Sequence, residues 1–82
     1  MIVFGKWHGG INYAGVDKAE EFSTMEDART TFQARIWGEY GYPCVEDSSM
    51  YLYRDNPDDV DDAEPFKVLK QGPRNGFSEM TI

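Results

Sequence analysis

The sequence predicts a small α+β domain: an antiparallel sheet of four or five strands with one helix packed on one face, in the order β(β)αβββ. Three observations predict it. Only the stretch Ser23–Trp37 has the length and the helical periodicity of an amphipathic helix. The other apolar residues gather in short β-branched or aromatic runs, at Ile2–Phe4, Met50–Tyr53, Phe66–Leu69 and Phe77–Ile82. Stretches rich in glycine, proline and Asx residues separate these runs. A chain of 82 residues makes one domain, spanning 1–82, and its lone helix needs a sheet to bury its stripe.

Taken in order, Met1–Trp7 reads as a strand through Ile2, Val3 and Phe4, and Gly9-Gly10 ends it. Ile11–Ala14 reads as a second short strand, which makes WHGGIN a hairpin corner. Gly15–Glu20 is a polar loop, and Glu21-Phe22 extends briefly before the helix.

Ser23 is placed to cap that helix, with Glu26 reaching back to its amide, so S-T-M-E is a capping box. The helix is expected over 24–37. Met25, Ala28, Phe32 and Ile36 form its apolar stripe, while Glu26, Thr30, Gln33 and Ala34 point away. Glu26 and Asp27 in the first turn and Arg35 in the last suit the helix dipole, and Gly38 supplies the left-handed stop. Trp37 lies off the stripe and is a candidate contact residue.

Gly38–Ser49 is an irregular connection in which Pro43 forces Tyr42 into an extended conformation. Met50–Arg54 then alternates Met50, Leu52 and Arg54 on one side with Tyr51 and Tyr53 on the other. Phe66–Gln71 is the next strand, Gly72–Gly76 a compact turn, and Phe77–Ile82 the last strand.

Fifteen acidic and eight basic residues leave a net charge of −7. Six of the acids fall in Asp55–Glu64, which contains no Lys or Arg, so the acidity is local. No basic footprint for direct nucleic-acid binding exists, whereas a basic protein surface would be attracted. Cys44 is the only cysteine, so no internal disulfide forms, and a reducing cytoplasm suits the chain. No apolar run reaches the length of a membrane span, and no signal or lipidation motif is present.

The loop DNPDDVDDAEP, Asp55–Pro65, concentrates hard oxygen ligands, and its repelling carboxylates are expected to keep it extended and solvated. It is not an EF-hand. Counting from Asp55, Val60 holds the sixth place where glycine is needed, and Phe66 the twelfth where glutamate is needed. Mimicry of a phosphate backbone needs carboxylates spread on a rigid surface, and here they share one loop. The expectation is no metal and no cofactor.

His8 and Cys44, with Glu46 or Asp47 as orienter, supply the ingredients of a base–nucleophile pair. Neither sits in a catalytic signature, and no G-x-S-x-G occurs. GPRNG lacks the Lys-Ser/Thr of a phosphate-binding loop. The chain therefore reads as a non-enzyme. Its aromatics are too many to bury in so small a domain, and Tyr51 and Tyr53 share one strand face. If the helix covers the Met50/Leu52 side, these two rings lie on the open side, where a protein partner or a second copy would meet them. A base-stacking platform would look similar, but the sign of the charge opposes it.

The run Tyr42-Pro43-Cys44-Val45-Glu46-Asp47-Ser48, then Met50-Tyr51-Leu52-Tyr53 and Gly72-Pro73-Arg74-Asn75-Gly76, resembles small uncharacterised proteins encoded by actinobacterial phages. The resemblance covers roughly the C-terminal half and implies no activity, cofactor or catalytic residue. It implies a context, that of a small accessory protein in the cytoplasm of a bacterial host. The expected function is non-enzymatic binding, or inhibition, of a host or phage protein. Trp37, Tyr51, Tyr53, Asp58, Asp59, Asp61 and Asp62 are the expected contacts. The alternative is a virion component or a homo-oligomer assembled through the sheet face.

Overall fold

The structure is a computed structural model, and it describes residues 1–8, 18–37, 48–73 and 76–82, the side chain of Trp37 excepted. The hairpin expected at 8–14, the helix stop at Gly38, Cys44 and Arg74 lie outside the described residues. The elements run β1 (Val3–His8), β2 (Glu20–Phe22), α1 (Met25–Trp37), β3 (Ser49–Tyr53), β4 (Pro65–Gln71) and β5 (Phe77–Thr81). All neighbours pair antiparallel, in the order β2-β1-β3-β4-β5. The fold is thus the expected small α+β sheet with one helix on a face.

Side-chain alternation decides which face meets the helix. Val3, Gly5 and Trp7 of β1, Met50 and Leu52 of β3, and Leu69 of β4 point inward and are buried. They meet Ala28, Phe32 and Ile36, which have no exposed surface, with Met25 packed at the margin. Full burial of each larger apolar side chain stabilises by about 1.5–3 kcal/mol relative to exposure. Phe32 is the central contact. Its ring stacks on Trp7 at 5.2 Å and meets Phe77 edge-on at 5.3 Å, which links α1 to both β1 and β5.

The helix start differs from expectation by one residue. Thr24, not Ser23, is the cap: its Oγ1 accepts from the Asp27 amide at 3.1 Å, and its carbonyl accepts the first helical bond from Ala28. Both hydroxyls are chemically able to cap, and the helix phase that buries Ala28, Phe32 and Ile36 is the same with either.

Two polar clusters fasten the helix to opposite sides of the sheet. Glu20 of β2 accepts from Nη1 and Nη2 of Arg35 and from the indole N–H of Trp7. This pairing, beside its ladder with β1, ties the three-residue strand to the helix and the core. On the far side, Glu79 of β5 accepts from Arg29 Nε at 2.6 Å and Nη2 at 3.1 Å, and from Lys67 Nζ at 2.6 Å. These donors hold the Glu79 carboxyl at about 2, Arg29 contributing more than Lys67.

Candidate binding face

The face away from α1 is ordered by cross-strand register. One row runs Lys6, Tyr51, Val68, Met80; the next runs His8, Ser49, Lys70, Ser78; a third brings Phe4 against Glu21 and Tyr53. Tyr51 and Tyr53 therefore sit on the central strand of this face, half-buried, while their neighbours Met50 and Leu52 are sealed beneath the helix. His8 is exposed and meets the Tyr51 ring edge-on at 4.6 Å. Val68 is 8% exposed although it faces away from the helix, because Tyr51 and Met80 flank it in the row.

One end of this face is apolar. The exposed large hydrophobic residues among those described are Met1, Ile2, Met80 and Ile82, all at the end where β1 begins and β5 finishes. A chain of contacts crosses that end. Arg54 lies over the Phe66 ring at 4.4 Å and donates to Met1 Sδ, and the Ile82 amide donates to the Phe66 carbonyl. Alternation in β5 places Met80, opposite Val68, on this face.

The acidic loop is not extended. Asn56 organises it: its side-chain oxygen accepts from the Asp58 amide and its carbonyl from those of Asp59 and Val60, and a further turn closes from Ala63 to Val60. Asp58 then reaches back across the tyrosine face. One oxygen takes Lys6 Nζ at 2.9 Å and the other the Ala19 amide at 2.8 Å. Turn formation and these two bonds outweigh the repulsion that favoured an extended loop. The Lys6 ammonium, then the Ala19 N–H, hold the Asp58 carboxyl below its ordinary value.

Of the loop acids expected as contacts, Asp58 is thus engaged within the chain, while Asp59, Asp61 and Asp62 are exposed, as are Asp55 and Glu64. Tyr51, Tyr53 and the loop are brought together on one side of the sheet. Trp37 ends α1, and its side chain lies outside the described residues. No sequence signal foretold the Lys6–Asp58 pair, whose members are 52 positions apart.

On the helix side, a shallow groove of about 580 Å³ runs between α1 and β5, lined by Glu26, Arg29, Thr30, Gln33, Ala34 and Phe77. Among the described residues, no group of three or more His, Cys, Asp or Glu side chains is placed to hold a metal. No helix among them is long and apolar enough to cross a membrane. Comparison with protein-family models, with curated proteins and with solved structures finds no match to this chain.

Proposed function

We propose that the chain is a small acidic, non-enzymatic protein-binding module, phage-encoded and acting in the bacterial cytoplasm, that binds or inhibits a host or phage protein. The observation that carries this reading is the division of β3. Met50 and Leu52 are sealed under α1, which leaves Tyr51 and Tyr53 on a face whose far strand ends in exposed Met80 and Ile82. Phenol rings beside apolar side chains, bordered by charge, are what protein interfaces favour. The exposed acids Asp59, Asp61 and Asp62 at the rim suit a basic partner and would speed its approach.

The test is affinity capture from bacterial host lysate, with wild type beside a Tyr51→Ala/Tyr53→Ala double variant shown by circular dichroism to be folded. Truncating two contact rings is expected to weaken a specific partner by roughly ten- to a thousandfold, at about 1–2 kcal/mol per ring. A partner recovered equally by both forms, or none recovered by either, would remove the proposal. Light scattering covers the other reading, assembly of the chain with itself through this face. A concentration-dependent oligomer abolished by the same double variant would favour it.

A further inference from the structure

The hydrogen-bond phase of the last hairpin fixes what its outer edge can accept. The Ile82 amide donates to the Phe66 carbonyl, and the Gly72 amide to the Gly76 carbonyl. These mark hydrogen-bonded pairs at both ends of the β4–β5 ladder, and such pairs alternate along antiparallel strands. Met80 opposite Val68 and Ser78 opposite Lys70 are therefore the bonded pairs between them. Phe77, Glu79 and Thr81 must turn both N–H and C=O outward, and β5 is the last strand of the described sheet. Such an edge is a template for another strand.

Side chains on both sides of the edge add selectivity. On the tyrosine side, Met80 is 47% and Ile82 66% exposed, and an added strand would cover them with its own apolar residues. On the helix side, the groove over Phe77 is bounded by the carboxylate of Glu26. Of the cations beside this edge, Arg29 and Lys67 are bonded to Glu79 on the helix side, and Lys70 is exposed opposite Ser78 on the tyrosine side, where the added strand presents its apolar residues. The exposed acids Asp61, Asp62 and Glu64 lie just before Pro65, at the end of the sheet where β5 finishes. A second copy of this chain would bring a further −7 to the same place, whereas a basic strand meets complementary charge.

We propose that the outer edge of β5, with the groove between α1 and Phe77, is a strand-addition site for a basic, extended segment of another protein. The segment alternates apolar residues with Lys or Arg. Its apolar residues cover Met80 and Ile82, while its basic side chains lay their aliphatic stems along the groove and reach toward Glu26. This goes beyond the tyrosine-face reading, and the two fail separately because one depends on backbone edge groups and the other on phenol rings.

The probe is a short acetylated peptide of alternating lysine and valine, titrated into the full chain while amide exchange is followed by NMR. Exchange at Phe77, Glu79 and Thr81 is expected to slow roughly tenfold or more at saturation. The same peptide N-methylated on alternate residues should give no protection. A Thr81→Pro variant, whose ring replaces an outward N–H and so spares the β4 ladder, should lose binding. The Tyr51→Ala/Tyr53→Ala variant should keep it. Equal protection by a glutamate–valine peptide, undiminished protection by the N-methylated peptide, or shifts confined to Tyr51 and Tyr53 would overturn the proposal. So would protection that grows with protein concentration alone, which would make a second copy the occupant.

Discussion

Replacing Glu79 by glutamine measures how much of the attachment between α1 and β5 is ionic. The carboxylate faces Arg29 in a two-point contact and Lys67 in a third, all between 2.6 and 3.1 Å. Its pKa falls from an ordinary 4.5 to about 2. At about 1.4 kcal/mol per unit, a dry site would gain roughly 3 kcal/mol. The site is not dry: the side chains of Arg29, Lys67 and Glu79 are 41%, 26% and 24% exposed. Solvent screening brings the expected contribution to about 1–2 kcal/mol. Because the folded pKa is the lower one, this stability is complete above about 4.5 and is lost as pH falls from there through about 2. Urea melts of wild type and Glu79→Gln should therefore differ at neutral pH and converge in acid. A difference that stays constant across that acid window, or is missing at neutral pH, would refute the ionic account.

Three other perturbations test the core and the loop. Gly5→Ala would place a Cβ 2.6 Å from Met50 Sδ and 2.9 Å from the Phe22 ring. Overpacking of that kind costs about 1–3 kcal/mol, read as a fall in Tm of roughly 4–8 °C for each kcal/mol. Phe32→Ala removes the ring shared by Trp7 and Phe77 and should cost about 3–5 kcal/mol, enough to leave a domain of this size largely unfolded by circular dichroism. Asp58→Asn should release the loop from Lys6 and Ala19, seen as faster exchange of the Ala19 amide, while the core amides of β3 keep their protection. In the wild type the same release should come with acid, as pH falls below the ordinary range of an aspartate.

The features legible in the sequence are those set by local periodicity. The stripe Ala28, Phe32, Ile36 and the inward pair Met50 and Leu52 follow from spacing alone, and both are fully buried. Spacing also put Tyr51 and Tyr53 on the strand side opposite Met50 and Leu52, and the structure shows that the helix covers the latter pair. The features that were not legible depend on contacts distant in sequence, or on a choice between equivalent neighbours. Ser23 and Thr24 carry the same capping chemistry, so nothing in the local sequence separates them. Lys6 and Ala19 reach Asp58 across 52 and 39 positions, and no pattern in the loop announces them. Glu79 faces the helix from β5, opposite Leu69, and its pairing with Arg29 spans 50 positions, so no local pattern announces it.

The distribution of bonded and exposed carboxylates bears on what the net charge does. Glu20 and Glu79 serve the fold, each bonded to a guanidinium and to a second donor, and Asp58 serves the loop. The remaining loop acids, Asp55, Asp59, Asp61, Asp62 and Glu64, are exposed. Charge in that position adds little to folding, because solvent and salt screen it, and mutual repulsion opposes the turns that Asn56 and Asp58 impose. Its field nonetheless extends about a Debye length, some 8–10 Å, into solvent beside the tyrosine face and the end of β5. Under the proposed binding role, the loop would hold fixed charge where an arriving basic protein feels it, and short-range discrimination would fall to Tyr51, Tyr53, Met80 and the open strand edge.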